Sequence, residues 1–384
     1  MQKNGLLESL EGILPGIRAR RDEIEAERNV PRDLFGQLRA TGMFGLTVPR
    51  ALGGGEAAPA DILRANETVA TADGSTGWCA MVAAANNLVA GYMNEAGARE
   101  IFADPNAPTA GIAAPAGAAV RVDGGLRVRG RWGFASAIAH CDWLWAGCLV
   151  LEDGQPRMTP HGPETVHVFI PVRDVEIHDT WYVSGLRGTG SNDFSVNDVY
   201  VPEHRTFSLF DPSGHRPEPL YQMPILGFFV SQVVAVSLGI ARAALDELIE
   251  LAPTKTPTLS LAVLADKPVA QVEIARAEAA LGSARAFLYE TVEELWQTAV
   301  AGRELTPRQR ALNRAATINA AETAVAVTRT ANLLAGGSSI YSKSSLQRHA
   351  RDAEAITHHF TVAPHTWEDA GRVFMGREPL APLF

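Results

Sequence analysis

The sequence predicts an α+β fold with a helical N-terminal domain, a small central β-barrel or sandwich and a C-terminal four-helix bundle. Apolar residues recur at helical spacing up to residue 106, and short β-type runs punctuated by Gly, Asp and Pro follow from 107 to 210. Four long Ala-rich helical segments with short connections occupy the remainder of the 384 residues. We therefore expect three domains, at 1–106, 107–210 and 211–384.

One segment of the N-terminal region is apolar on nearly every side. The run GWCAMVAAANNLVAGYM at 77–93 has few polar residues, which indicates a helix that is buried on most faces. Its polar pair, Asn86 and Asn87, needs hydrogen-bond partners in such surroundings. We expect one of the two, Asn87, to face a substrate.

The central region opens with a strong hairpin pattern, because alternating residues flank a Gly-Gly turn in VRVDGGLRVRG at 120–130. The next stretch, GRWGFASAIAHCDWLWAGC at 130–148, concentrates three of the seven tryptophans. Such a concentration indicates either the core of a β-domain or a flat aromatic ligand lying against it. We predict core positions for Trp143 and Trp145.

Composition and charge exclude several classes of function. Hydrophobic residues make up 46% and charged residues 20%, which is ordinary for a soluble globular enzyme. A net charge of −9 argues against nucleic acid or an anionic membrane as the main partner. Three irregularly spaced cysteines indicate neither a disulfide framework nor a metal site. Since we find neither a signal peptide nor a long unbroken apolar run, we expect a cytoplasmic protein without a membrane span.

Four motifs share a common order along the chain: DGSTGW at 73–78, GRWGFAS at 130–136, GLRGTGSNDFSVNDVYVPEHR at 185–205 and RDAEAITHH at 351–359. Together with the helix–sheet–helix order, they resemble the acyl-CoA dehydrogenase fold over essentially the whole chain. Within that superfamily they resemble the flavin-dependent monooxygenase branch, the oxygenase components of two-component (group D) hydroxylases.

The resemblance implies a reduced flavin, either FAD or FMN, which a separate NAD(P)H:flavin reductase supplies. Oxygen is the co-substrate, and a C4a-hydroperoxide of the flavin hydroxylates a small aromatic or heteroaromatic molecule. The chain has no GxGxxG in a strand–helix context, so we do not expect it to reduce its own flavin with a nicotinamide. We also expect a homotetramer built on the C-terminal helices, whose small residues permit close packing between copies.

By this resemblance, the strand and loop at 130–136 line one face of the flavin ring. Trp132 or Phe134 would stack near the flavin, and Ser136 would hydrogen-bond its N5 edge. A hydroxyl at N5 would slow the proton loss that releases peroxide unproductively. The alternative for Ser136 is that it merely ends a strand. The loop RGTGSND at 187–193 is expected to have a structural role or to close over the flavin.

The segment GIAAPAG at 111–117 stands where family members direct backbone donors at the flavin pyrimidine edge. Small residues such as Ala114 and Gly117 permit a close approach of the backbone to a planar ring. An ordinary turn between helix and strand explains the same residues equally well. Both interpretations remain open at this stage.

A second group of residues is assigned to the flavin phosphate. Gly336, Gly337 and Ser338 follow a long helix, and by resemblance this loop meets the phosphate of a flavin that is often held by a neighbouring subunit. The simpler alternative is a helix C-cap. The Arg-x-x-Phe-Gly element by which dehydrogenases hold the adenosine diphosphate part of FAD is missing, and Lys255 is assigned to the phosphate instead.

The tetrapeptide THHF at 357–360 separates two chemistries. The family's hydroxylases carry a histidine where His359 stands, and acyl-CoA dehydrogenases of the commonest pattern carry their catalytic glutamate where Phe360 stands. Phenylalanine cannot abstract the α-proton of an acyl thioester. We therefore assign His359 to proton management. His358 is the alternative, and because two successive residues of a helix point about 100° apart, at most one of the two histidines would face the flavin. Trp78 and Phe360 complete the predicted substrate site.

Three alternatives remain open at the level of sequence. One is an acyl-CoA dehydrogenase with a displaced base, although ILGFFVSQVVAVSL at 225–238, the other helix known to supply that base, contains no acid. Another is an N-hydroxylating monooxygenase that acts on an amine or an amino sugar. The last is a non-catalytic scaffold that keeps the fold.

Overall fold

The computed structural model describes residues 3–160, 162–209, 211 and 214–380. The N-terminal region is helical, with α1 Lys3–Ala19, α2 Arg21–Glu27, α3 Arg32–Ala40, α4 Pro59–Ala70, α5 Gly74–Asn86 and α6 Glu95–Ile101. Asp73 caps the N-terminus of α5, because its carboxylate accepts a hydrogen bond from the Thr76 amide at 2.7 Å. Every residue of α5 is buried, as the apolar run at 77–93 predicts, and a 3₁₀ turn continues it from Asn87 to Gly91.

The central region is one mixed sheet of eight strands with a separate two-stranded ribbon. The strands are β1 Thr109–Val122, β2 Gly125–Ala135, β3 Trp143–Glu152, β4 Gln155–Pro156, β5 Met158–Thr159, β6 Gly162–Pro163, β7 Thr165–Pro171, β8 Glu176–His178, β9 Asn192–Pro202 and β10 Thr206–Phe207. Their order is β10-β7-β3-β1-β2-β9-β8, with β4 on β3 and β5 paired to β6. The predicted Gly-Gly hairpin is confirmed, because β1 and β2 pair antiparallel up to Val122 and Gly125.

Strand β1 carries a long irregularity where it crosses between its two neighbours. Ile112 pairs with Ala146 of β3, and the next paired residue is Gly117, which pairs with Cys148. Pairing with β2 also begins only at Gly117. The four residues 113–116 therefore bulge out of both ladders opposite one residue of β3.

The C-terminal region is helical: α7 Ile225–Leu251, α8 Pro268–Val300, α9 Pro307–Leu334, α10 Ser345–Thr357 and α11 Trp367–Phe374. Helix α7 packs against α4, α5, α9 and α10 and so joins the two helical regions. By length and composition α7 could cross a membrane, but 72% of its most apolar window is buried inside the fold, as expected for the core helix of a bundle. The helix–sheet–helix fold predicted from the sequence is confirmed.

The tryptophans of the central region divide between two cores. Trp145 belongs to the large core shared by the helical regions and one face of the sheet, and Trp132 belongs to the smaller core of the sheet itself. Trp143 is partly buried at the edge of the large core, with the Arg205 guanidinium 4.9 Å above its ring. The core position predicted for Trp145 is confirmed, and Trp143 packs against that core without being fully buried.

Candidate active site

Three residues singled out in the sequence meet at the junction of the three regions: Trp78 on α5, Ser136 just after β2 and His359 just after α10. The Trp78 indole Nε1–H donates to Ser136 Oγ at 3.0 Å. The Trp78 and His359 rings lie edge to face with their centroids 5.9 Å apart. Because the residues are separated by 58 and 223 positions, only the tertiary fold brings them together.

Ser136 is the outer end of a buried chain of hydroxyl groups. Its Oγ lies 2.7 Å from Ser191 Oγ, and Ser191 Oγ lies 2.6 Å from Thr189 Oγ1. Thr189 Oγ1 in turn donates to the Leu186 carbonyl at 2.9 Å. Sequence reasoning missed Ser191 and Thr189, although two hydroxyls close together in the RGTGSND loop were a visible signal.

His359 lies beyond the end of α10 at Thr357, so the helical spacing assumed for the histidine pair does not apply. His359 is partly buried and His358 is exposed, which favours His359 as the site residue. Aromatic rings surround it: Trp78, Phe229 with centroids 5.8 Å apart and Phe360 at 4.9 Å. Phe360 itself is 62% exposed and lies at the outer side of this cluster.

The protonation state of His359 follows from its surroundings. Burial lowers the pKa of its imidazole to about 4, so the ring is neutral at pH 7. Its Nδ1 lies 2.7 Å from Thr361 Oγ1 and also faces the Thr361 backbone N–H at 3.5 Å. Since a backbone N–H can only donate, Nδ1 is the acceptor, and Nε2 carries the proton. His359 therefore offers an N–H donor to whatever lies in the aromatic cluster.

Phe134 and Trp132 have opposite surroundings although they are two residues apart on β2. Phe134 has φ +66° and is 74% exposed, and its ring meets Trp181 edge to face at 6.0 Å. A bulky residue in the left-handed region is strained, so the surrounding structure holds this aromatic ring outward. An exposed, fixed aromatic edge suits a flat ligand.

The structure corrects the prediction that Trp132 stacks on the flavin. Its side chain is 1% exposed, lies parallel to Phe194 with centroids 5.1 Å apart, and donates its indole N–H to the Gly147 carbonyl at 2.8 Å. Both faces and the polar edge are thus occupied by protein. Alternation along a strand would place residues 132 and 134 on the same face, but the positive φ of Phe134 reverses its direction.

The structure also corrects the prediction for Gly117 and shows where Ala114 lies. Gly117 is buried and paired on both sides, and a Cβ there would lie 2.1 Å from Trp132 Cζ2, so its small size makes room for the tryptophan. Ala114 is exposed within the bulge at 113–116, where neither neighbouring strand pairs with it. A Cβ at Gly147 would lie 2.7 Å from the Ala114 carbonyl oxygen, and the Trp132 indole N–H donates to the Gly147 carbonyl, so this bulge lies near Trp132 on β2.

These surroundings fit a flavin ring. The bulge presents small side chains and backbone groups outside the ladders, Phe134 presents an aromatic edge, and Ser136 presents a buried hydroxyl. A planar heterocycle with polar edges needs this combination of apolar surface and a few directed polar groups. The residues predicted for the ring, apart from Trp132 and Gly117, therefore lie in one neighbourhood.

Asn87 does not belong to the site, contrary to the prediction. Its side chain is fully buried, and its Nδ2 donates to the carbonyls of Phe44 and Ala107, each at 2.9 Å. Its Oδ1 accepts from the Thr109 hydroxyl at 2.7 Å. With donors and acceptor occupied, Asn87 ties the end of α5 to the start of β1 and has no group left for a substrate.

A buried carboxyl supports the loop behind the hydroxyl chain. Asp352 on α10 is 2% exposed, and its Oδ1 accepts from the Leu186 amide at 2.6 Å. Burial raises the pKa of Asp352 to about 7, and the nearby Asp73 carboxylate adds to the effect. A Cβ at Gly74 would lie 2.8 Å from Asp352 Oδ2, so glycine permits this carboxyl to lie against the start of α5.

The residues assigned to the phosphate lie together but far from this site. Lys255 Nζ donates to Ser338 Oγ at 2.6 Å, next to Gly336, which has φ +71°. The Lys255 amide donates to the Leu251 carbonyl at the end of α7, whereas Phe229 at the start of α7 touches His359. At 1.5 Å per residue, the helix between Phe229 and Leu251 spans about 33 Å. Gly337 lies in the same 3₁₀ turn as Ser338.

Comparisons with known proteins agree with this architecture. Family models described as the acyl-CoA dehydrogenase N-terminal and C-terminal domains match residues 16–102 and 231–364. The chain is 36% identical to an indole-3-acetate monooxygenase of Pseudomonas putida, over 97% of this chain and 94% of that protein. It is 30% identical to the flavin-dependent monooxygenase oxygenase subunit HsaA of Mycobacterium tuberculosis, over 91% of this chain and 90% of that protein.

Two solved structures resemble the fold along its whole length. The crystal structure of the M. tuberculosis HsaA monooxygenase superposes with a TM-score of 0.91 at 29% identity and covers 100% of both chains. The structure of XiaF from Streptomyces in complex with FADH2 and glycerol superposes with a TM-score of 0.92 at 25% identity, covering 99% of this chain and 97% of that one.

Proposed function

The chain belongs to the acyl-CoA dehydrogenase family as the oxygenase component of a two-component flavin-dependent monooxygenase, and we propose that it hydroxylates a small heteroaromatic substrate of the indole class. The observation that carries the proposal is the meeting of Trp78, Ser136 and His359 beside an exposed aromatic edge. Indole-3-acetate is the first candidate, because the relative with 36% identity is named for it.

The chain's own residues position the flavin and the substrate. Reduced flavin, when bound, supplies the electrons that activate O2. Phe134 and the bulge around Ala114 would hold the ring, and Ser136 would meet one of its polar edges. The rings of Trp78, Phe229 and Phe360 form apolar walls that suit an aromatic substrate and exclude water from the reacting atoms.

His359 acts as a hydrogen-bond donor in this scheme. Its imidazole is neutral at pH 7, and its Nε2–H is the group left free by the Thr361 contact. A neutral donor can hold the oxygen that is transferred or the substrate oxygen without adding a charge to an apolar site. The low pKa means that acid, rather than neutral pH, would convert it to the imidazolium.

The dehydrogenase alternative lacks a base in the part of the chain that the structure describes. Phe360 stands beside His359 where the commonest dehydrogenases carry glutamate, and 225–238 contains no acid. The carboxyl of Asp352 on α10 is buried behind the hydroxyl chain, and its Oδ1 accepts from the Leu186 amide. Neither of the two positions that supply the base in dehydrogenases of this fold therefore carries an acid here.

The proposal includes a homotetramer and a site completed by a neighbouring subunit. Lys255 and Ser338 form a polar pair about 33 Å along α7 from His359, farther than a flavin phosphate extends from its own ring. Exposed apolar side chains flank this pair, with Leu333 67%, Ile340 77% and Tyr341 62% exposed. Such a surface suits contact with another copy, whose flavin phosphate Lys255 would then meet.

The test is a single-turnover reaction. The anaerobic protein is mixed with reduced FMN or reduced FAD and indole-3-acetate, oxygen is added, and hydroxylated product and hydrogen peroxide are measured per flavin. We expect product with the wild type and mostly peroxide with His359→Leu, which lacks the side-chain donor. Flavin reoxidation at the rate of free flavin, without product from any indole tested, would contradict the proposal. Tightly bound FAD that bleaches with an acyl-CoA would instead identify a dehydrogenase.

A further inference from the structure

The hydroxyl chain behind Ser136 has a defined direction. Each of Ser136, Ser191 and Thr189 has one hydroxyl proton, and the chain ends at the Leu186 carbonyl, which can only accept. The Thr189 proton is therefore committed to Leu186, and Thr189 Oγ1 must accept from Ser191. Ser191 Oγ must then accept from Ser136, so that the Ser136 proton points inward, away from the site.

The other side of Ser136 is constrained in the same sense. The Trp78 Nε1–H can only donate, and it reaches Ser136 Oγ at 3.0 Å. Ser136 therefore has its proton committed to Ser191 and one lone pair committed to Trp78. One lone pair remains, and any ligand atom that meets Ser136 through it must itself be a donor.

The far end of the chain is held so that it does not reverse. Leu186 has φ +52°, and its amide donates to Asp352. Its carbonyl accepts from Thr189 Oγ1, from the Thr189 amide at 3.2 Å and from the Trp181 indole at 3.1 Å. Ala137 N–H donates to the Thr189 carbonyl at 3.0 Å, which keeps the two loops side by side. All three hydroxyl residues are at most 7% exposed, so water does not compete for their protons.

An obligate acceptor distinguishes the two oxidation states of a flavin. The N5 atom of a reduced flavin carries a proton and donates, whereas N5 of an oxidised flavin has no proton and can only accept. The other ring donor, N3–H, is present in both states and lies on the pyrimidine edge, which the bulge at 113–116 would hold if flavin binds as proposed. Ser136, reached by the N5 edge, would therefore bind the reduced ring and reject the oxidised one.

We propose that Ser191 and Thr189 are positioning residues that fix Ser136 as a hydrogen-bond acceptor and thereby make the site select reduced over oxidised flavin. The inference rests on the proposed function, since it requires that the site binds flavin. Without the Ser191 or Thr189 hydroxyl, the Ser136 proton is free to turn outward and donate to N5 of the oxidised ring. Selectivity should then fall while binding of the reduced flavin is largely kept.

The experiment measures the Kd of oxidised FMN and, anaerobically, of reduced FMN for the wild type and three variants. In the wild type the Kd of oxidised FMN should exceed that of reduced FMN. We expect the ratio of the oxidised to the reduced Kd to fall about threefold to tenfold in Ser191→Ala and in Thr189→Val, which is the range of one hydrogen bond between neutral groups. Thr189→Ser keeps the hydroxyl and is the matched control, with the wild-type ratio. If Ser191→Ala fails to fold, Thr189→Val carries the same test with the side-chain volume preserved.

A double variant separates positioning from a merely structural role. Ser136→Ala should also lower the ratio, and adding Ser191→Ala to it should change nothing further, because Ser191 acts only through Ser136. If both Kd values change in parallel in Ser191→Ala and Thr189→Val, so that the ratio of the oxidised to the reduced Kd is kept, the inference is overturned. The proposed function would still stand. A wild type that binds neither form of flavin would overturn both.

Discussion

The buried carboxyl of Asp352 gives the sharpest quantitative prediction about stability. Replacing it in Asp352→Asn keeps the Oδ1 acceptor for the Leu186 amide but removes the ionisable group. The folded protein holds the Asp352 proton up to a pKa of about 7, whereas the unfolded chain releases it near 3.8. The stability contributed by the protonated carboxyl is therefore full below pH 3.8 and is lost as the pH rises to 7.

The magnitude follows from the width of this window. Each pH unit between the two pKa values costs the wild type about 1.4 kcal/mol of unfolding free energy, so that the loss from pH 5 to pH 7 is about 2–3 kcal/mol. The variant lacks this loss. Its stability relative to the wild type should rise by that amount between pH 5 and pH 7 and stay level above pH 7.

The assay is urea unfolding followed by tryptophan fluorescence at a fixed protein concentration, across pH 5 to 8.5. The control is Asp123→Asn, a change at an exposed aspartate in the turn between β1 and β2. Infrared difference spectra should also show the carbonyl band of a buried protonated carboxyl at pH 5.5, lost at pH 8 and absent from Asp352→Asn. Parallel stability curves for wild type and variant, without that band, would refute the reasoning.

Four other substitutions test the site and its surroundings. Trp132→Ala should lower the unfolding free energy by about 3–5 kcal/mol. Phe134→Ala should leave unfolding in urea unchanged and weaken reduced-flavin binding about threefold to tenfold. The reverse pattern would show that Trp132, rather than Phe134, contacts the flavin. His359→Leu removes the donor and should keep the Kd of reduced flavin within about twofold while lowering product formation about 10²–10³-fold in rapid mixing. A large change in that Kd instead would contradict its role as a donor. Burial lowers the pKa of His140 to about 4, so the stability that its neutral ring contributes is present above pH 6.5 and lost as the pH falls to 4. In His140→Gln the unfolding free energy measured in urea should therefore depend less on pH between 6.5 and 4. An unchanged pH dependence in that range would contradict this prediction.

The architecture could be predicted from the sequence because it follows from local patterns. Helical spacing, the apolar run at 77–93 and the Gly-Gly hairpin each depend on residues a few positions apart, and each is present in the structure. The shared order of the motifs indicated the family and, with it, roles for Ser136 and His359. These features depend on backbone periodicity and residue type, which neighbouring residues determine.

The direction of individual side chains was not decided at that level. Trp132 and Phe134 share a strand and an aromatic character, but only the positive φ of Phe134 shows which of them faces outward. Asn87 is predicted from the sequence to face a substrate, but its amide donates to the carbonyls of Phe44 and Ala107 instead. Whether a polar side chain is free for a ligand depends on its hydrogen-bond partners, and the partners of Asn87 lie about 20 and 43 residues away in the sequence.

The sequence by itself therefore determined the order of helices and strands, the family and the residue types available for chemistry. The tertiary structure decided which of those residues meet, which are satisfied by the protein, and which way the Ser136 proton points. The physical reason is that periodicity is set by contacts within a turn of helix or strand. Burial, pKa shifts and the direction of a hydrogen bond are set by groups from distant segments, such as the Leu186 carbonyl and Trp78 on either side of Ser136.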